Sequence, residues 1–183
     1  LEKETGLKVQ FTPVSDYAAV VEGLAAKKID MAWLGGFTFV QAKLRTNGEA
    51  LPIVQRAEDE KFVSKFIVPA DSPIKTPADL KGKKLAFTSP TSNSGFKAPS
   101  VLLESEFKLV AKRDYEPVFS GKHDNSVLGV ANKDYEAAAI ANEVMLRMFE
   151  RKVVDEAKIR TIYKSETFPT TSYGVSHNLD PAL

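Results

Sequence analysis

Strand-like and helix-like periodicity alternate along all 183 residues, with cap and turn residues at the changeovers. A chain patterned in this way is restricted to an α/β architecture, and the alternation predicts largely parallel strands. Strands are expected over 8–11, 29–34, 52–56, 63–68, 84–88, 116–120, 135–141, 159–163 and 173–176. Between the first two, Ser15 or Asp16 caps a helix that places Tyr17, Val20, Val21, Leu24 and Ala25 on one face. Gly35-Gly36 breaks the second strand before a helix over 37–44, and Trp33, within Met31-Ala32-Trp33-Leu34, is expected in the core. Thr76-Pro77-Ala78-Asp79 carries the cap, first-turn proline and acidic third position of a helix start, and Gly82 ends that short helix. Later helices are expected up to 107, over 123–132, and over 142–151, the last with Val144, Met145, Met148 and Phe149 inward.

The ends read as interrupted patterns. Leu1-Glu2-Lys3-Glu4 resembles the close of a helix and Asp180-Pro181-Ala182-Leu183 the opening of one, so a longer parent is expected. Hydrophobic residues make up 43% of the chain, enough for a packed core. The 25 basic and 24 acidic side chains leave a formal charge of +1, which gives no electrostatic reason to expect nucleic acid as a partner. With no cysteine, disulfide scaffolds and thiol chemistry are excluded. His123 and His177 show no zinc spacing, and no phosphate-loop or dinucleotide motif occurs, so neither metal nor cofactor is expected.

The segment Ser89-Pro90-Thr91-Ser92-Asn93-Ser94-Gly95 is the most informative, because hydroxyls, an amide and a glycine lie between a strand and a helix. The first turn of a helix offers unpaired N–H groups and a partial positive charge, which suits an oxyanion. Taken alone, such a cluster reads more often as an ordinary capped turn. The strand-to-helix changeover recurs, however, at 12–17, at Gly35-Gly36-Phe37-Thr38, at Gly121-Lys122-His123-Asp124 and at Ala141-Asn142-Glu143. Several helix starts aimed at one anion would make a site; whether they converge is a question for the fold. His123 at a helix start is expected to be neutral, since the positive helix end disfavours imidazolium. Tyr17 fits either the core or a crevice. Ser94, His123 and Asp124 do not read as a catalytic triad, because there is no nucleophile elbow and Asp124 adjoins His123.

Three runs, 14–22, 29–37 and 74–85, together with the 89–95 loop, Ser120-Gly121-Lys122-His123-Asp124 and Phe168-Pro169, resemble the phosphate, phosphite and phosphonate-binding proteins of ABC importers. The resemblance covers nearly the whole chain. It implies an α/β type II periplasmic-binding-protein fold, two lobes joined by a hinge. Lobe one would comprise 1–66 plus 168–183 and be incomplete, lacking its first strand and the closing C-terminal helices. Lobe two would comprise 70–165, with hinges near Lys65-Phe66 and 165–168. It further implies a ligand site at Tyr17, Thr91, Ser92, Asn93, Ser94 and His123, with Asn142 or Glu143 facing the other side of the ligand. Two departures stand out. Asn93 replaces the middle threonine of the family loop, and Thr170-Thr171-Ser172 stands where binders of amine-bearing phosphonates carry an acid.

The implied activity is capture without catalysis. A periplasmic or otherwise extracytoplasmic solute-binding protein, lipid-anchored in one variant of the scheme, closes on a small phosphonate or phosphite and presents it to a membrane permease. The alternative is a ligand-sensing domain of a membrane signalling receptor with the same fold.

Overall fold

The computed structural model describes residues 1–168, 171–175, 179, 180 and 182. In chain order the elements are α1 (Glu2–Thr5), α2 (Tyr17–Ala25), β1 (Met31–Gly35), α3 (Gly36–Arg45), β2 (Leu51–Val54), β3 (Ser64–Pro69), β4 (Lys84–Phe87), α4 (Ala98–Phe107), β5 (Glu116–Phe119), α5 (His123–Ala131), β6 (Ala137–Ala141), α6 (Asn142–Glu150), β7 (Ile159–Lys164) and β8 (Thr171–Val175). One π-helical turn, Asn93–Lys97, leads directly into α4. Short 3₁₀ turns cover Ala57–Lys61, Pro77–Leu80 and Glu156–Lys158.

Two sheets form. The first has the order β1-β8-β2 and the second β5-β4-β6-β3-β7. Among the described strands, parallel pairing joins β4 with β5 and β4 with β6 only; β3 runs antiparallel to β6 and β7, and β8 runs antiparallel to β1 and β2. The expectation of largely parallel strands is therefore corrected. β3, which carries the chain into the second sheet, and β8, which returns it to the first, run against their neighbours, and a strand–helix alternation does not reveal that reversal.

The second sheet holds most of the core. β6 reads Ala137-Ala138-Ala139-Ile140-Ala141 and is buried throughout, because it lies between β4 and β3 with apolar clusters on both faces. Phe66, Leu85, Phe87 and Leu103 lie in one cluster, and Ile67, Val127, Ile140 and Met145 in the other. Each such side chain contributes about 1.5–3 kcal/mol when fully buried. Val144 and Phe149 pack at the margin of the second cluster while Met145 and Met148 enter it, as the helical spacing requires. Beside the first sheet, Val21 and Leu24 of α2 meet Leu34 and Ala42 in a smaller cluster.

The chain crosses between the sheets at two adjoining segments. The Ser64 N–H donates to Ser165 Oγ at 2.9 Å, the Ser165 N–H to the Ser64 carbonyl at 2.9 Å, and the Phe168 N–H to the Phe62 carbonyl at 3.2 Å. The Phe62 and Phe168 rings meet edge-to-face at 5.4 Å. The first crossing thus precedes Ser64. Lys65 and Phe66, near the expected hinge, are paired within β3 on both sides.

Two further expectations are revised. Residues 8–11 form no strand: the Val9 N–H donates to the Glu2 carboxylate at 2.7 Å, and a strand requires another backbone to take such groups. Trp33 is 43% exposed rather than buried. Pro169, Thr170, Ser176, His177, Pro181 and Leu183 lie outside the described residues. The turn at Phe168-Pro169, the end of the last strand and the helix start at 180–183 therefore fall wholly or partly there.

Candidate functional site

The topology itself assembles the site. β5, β4 and β6 run parallel, so their carboxyl ends lie along one edge of the second sheet, where an open α/β sheet forms its binding crevice. Three helix starts follow at that edge: the 93–97 turn after β4, α5 after β5, and α6 after β6. Across the crevice stand the starts of α2 and α3. Residues from all five starts line one cleft of about 380 Å³, including Tyr17, Gly35, Ser92, Asn93, Ser94, His123 and Glu143. The convergence that local sequence left open is thus a property of the fold.

Ser92 organises the first of these starts. Its Oγ accepts from the Gly95 N–H at 3.0 Å, and the Gly95 carbonyl accepts from the Thr88 N–H at 3.1 Å, which ties the turn to the end of β4. Ser64 Oγ donates to the Ser94 carbonyl at 2.7 Å. Ser92 and Ser94 are both buried beneath the cleft surface. Opposite, Asp16 caps α2 by accepting from the Ala19 N–H at 2.9 Å, which sets Tyr17 in the first turn of the helix. Tyr17 lines the cleft, and burial raises its pKa above the usual phenol value. Tyr17 therefore belongs to the crevice.

His123 Nδ1 accepts a hydrogen bond from the Ala141 N–H at 3.0 Å. The acceptor nitrogen is therefore committed, and in the neutral ring the proton sits on Nε2, available as a donor. Burial drives the pKa down to about 4; Asp124 opposes this and Arg147 adds to it. The side chain orienting His123 is thus none at all but a backbone amide, and Asp124 takes no part at Nδ1.

Glu143, at the start of α6, is held above the usual carboxylate pKa chiefly by burial. Its Oε2 is buried with no hydrogen-bond partner among the described residues, while Oε1 lies 3.7 Å from Arg56. Arg56 in turn pairs with the buried Asp59 at 2.7 Å and lies over the Trp33 ring at 5.2 Å from its centroid.

Two residues expected at the site do other work. Asn142 Oδ1 accepts from the Val63 N–H at 2.9 Å, fastening α6 to the start of β3, and Asn142 does not line the cleft. Thr91 also lies outside the lining; its Oγ1 meets Ser89 Oγ at 3.3 Å, and its carbonyl accepts from Thr38 Oγ1 at 3.3 Å across the cleft. A second cross-cleft contact sets the Lys97 ammonium over the Phe37 ring at 4.9 Å. Reading the residues missed Trp33, Arg56 and Arg147. The i,i+3 spacing of Arg56 and Asp59 and the i,i+4 spacing of Glu143 and Arg147 were the available signals.

Helix starts turned on a crevice between two α/β layers are the arrangement of the periplasmic-binding-protein fold. The chain belongs to the family described as ABC transporter, phosphonate, periplasmic substrate-binding protein, whose pattern matches residues 1–183. It is 34% identical to the phosphate-import protein PhnD of Mycolicibacterium smegmatis, over all of this chain and 60% of that one. It is 29% identical to the phosphonates-binding periplasmic protein of Escherichia coli, over 92% of this chain and 51% of that one. The structure of PhnD1 from Prochlorococcus marinus in complex with methylphosphonate superposes with a TM-score of 0.86 at 25% identity, covering 97% of this chain and 67% of that one. The fold is accordingly that of the type II periplasmic binding proteins. The chain spans about half to three-fifths of the length of these curated relatives.

Proposed function

We propose that this chain is the greater part of an extracytoplasmic solute-binding component of an ABC importer, and that it holds a small phosphonate or phosphite between its lobes without chemical change. The observation that carries the reading is the convergence of five helix starts on one cleft, with a neutral histidine among them. Helix N–H groups, the hydroxyls of Tyr17, Ser92 and Ser94, and His123 Nε2–H form a donor set for an oxyanion. Charge-assisted hydrogen bonds contribute about 1.5–3 kcal/mol each, so several together yield useful affinity after the cost of closure. With Nδ1 already occupied, His123 acts as a donor, and Glu143 is the acceptor for a proton carried by the ligand. Closure brings Thr38 against Thr91 and Phe37 against Lys97, and the closed form is the one offered to the permease.

Titration calorimetry with methylphosphonate, phosphite, phosphate and sulfate tests this reading. Methylphosphonate or phosphite should bind more tightly than sulfate, which carries no proton at neutral pH. Ser94→Ala and His123→Ala should each weaken the preferred ligand at least tenfold, about 1.4 kcal/mol. Unchanged affinity in both variants would sink the site assignment.

A further inference from the structure

Three charged side chains meet in and beneath the cleft that the Ser92–Ser94 turn also lines. Glu143 and Asp59 approach a single guanidinium, that of Arg56, at 3.7 and 2.7 Å. The Asp59 side chain is only 1% exposed, and those of Arg56 and Glu143 are 26% and 24% exposed. Trp33 lies under the guanidinium, and Arg56, Glu143 and Trp33 all line the cleft. A half-buried carboxylate in a ligand cleft is costly without a positive neighbour, so such a group would ordinarily draw a cation from the ligand. Here the protein supplies that cation. Arg56 follows β2 in the first layer and Glu143 begins α6 in the second, so the pair spans the cleft.

We propose that Arg56 is the specificity-determining residue of this end of the cleft: its guanidinium takes the place beside Glu143 that a ligand ammonium would need, and it selects phosphorus oxyanions with uncharged substituents. The inference rests on the functional reading above and deepens it. Stacking on Trp33 and pairing with Asp59 hold the guanidinium in place, so an incoming ammonium meets a fixed like charge. An uncharged substituent meets no such opposition and can pack beside the exposed part of the Trp33 ring.

The test compares two ligands of equal size that differ in charge, propylphosphonate and 2-aminoethylphosphonate, by calorimetry on the parent chain and on variants. The parent is expected to bind propylphosphonate at least tenfold more tightly. Arg56→Met should shrink that ratio at least tenfold, while Arg56→Lys, which keeps the cation, should preserve it. Because Asp59 is buried, Arg56→Met alone risks misfolding. Arg56→Met combined with Asp59→Asn removes both charges, leaves Glu143 in place, and should shrink the ratio in the same way. Adding Glu143→Gln to that pair should restore the preference for propylphosphonate. A parent that favours the amine, a ratio that stays constant across folded variants, or a tenfold loss of both ligands together in Arg56→Met would each overturn the proposal. The last result would mark Arg56 as a direct oxyanion contact. A parent chain that binds none of methylphosphonate, phosphite or phosphate overturns the functional reading itself, which separates that failure from a failure of the Arg56 assignment.

Discussion

Acidification from pH 7 to pH 4 is expected to remove about 3 kcal/mol of folding stability through His123 alone. The pKa of this side chain falls from the ordinary 6.5 to about 4 in the folded state, because burial disfavours the charged ring. The unfolded chain therefore binds a proton that the folded chain refuses, and stability rises with pH across the interval between the two values. The contribution is complete above about 6.5, drains as pH falls, and levels off only below about 4, where the folded ring also protonates. A fall from 6.5 to about 4 corresponds to about 3–4 kcal/mol at roughly 1.4 kcal/mol per pKa unit, and about 3 kcal/mol of it is lost by pH 4, where the folded ring is half protonated. Protonation also has a structural consequence: Nδ1 can no longer accept from the Ala141 N–H, so the link between α5 and the end of β6 opens. Urea denaturation at pH 7, 5.5 and 4, on the parent and on His123→Gln, measures the difference. Asp16, Asp79 and Asp114 have lowered pKa values and add acid sensitivity below about pH 4, but they are common to both proteins. Parallel pH curves for parent and variant would contradict the assignment.

How much of this was readable in the sequence depends on what each residue reports. Helix starts announce themselves locally, because a cap must satisfy backbone donors within its own turn. Asp16 and Thr76-Pro77-Ala78-Asp79 stand where their residue types require, and the Thr76 N–H donates to the Asp79 carboxylate at 2.9 Å. The family loop was equally legible, and the structure places Ser92, Asn93, Ser94, His123, Tyr17 and Glu143 on one cleft. Pairing direction was not legible, since it depends on distant partners: β3 looks like any buried strand until β6 and β7 are seen to run against it. Side-chain allegiance was equally hidden. Asn142 and Glu143 are neighbours in one helix start, yet one serves the backbone amide of Val63, just before β3, and the other faces the cleft. A helix separates adjacent residues by about 100°, so only the packing partner decides which of the two turns inward. Trp33 misled for the opposite reason. Its neighbours are apolar, but alternate residues of a strand face opposite ways, and Leu34 took the core face.

The largest loss of binding is expected from a one-carbon change just beneath the cleft, Gly95→Ala. A Cβ on Gly95 would lie 2.7 Å from Thr88 Cγ2 and 2.9 Å from His123 Cε1, and it would press on the Thr88 hydroxyl as well. Thr88 is wholly buried and branched at Cβ, so it cannot swing aside. His123 is held through Nδ1 by the Ala141 N–H. Relief must come from displacing the imidazole, which breaks that bond, or from lifting the 93–97 turn, which breaks the bonds of Gly95 to Ser92 and Thr88. The first route displaces the His123 donor, and the second carries away the donors of the 93–97 turn together, where Ser94→Ala removes a single hydroxyl. Affinity for the preferred ligand should fall at least a hundredfold, about 2.8 kcal/mol, with an overpacking cost to stability of about 1–3 kcal/mol. Gly129→Ala is the control, since a Cβ there meets the Tyr135 ring, with Cε2 at 2.5 Å, and Gly129 does not line the cleft. It should lower stability comparably and leave the affinity of the folded protein within threefold of the parent. If calorimetry finds Gly95→Ala also within threefold, the 93–97 turn does not hold the anion, and the donor set must be sought among the helix starts that remain.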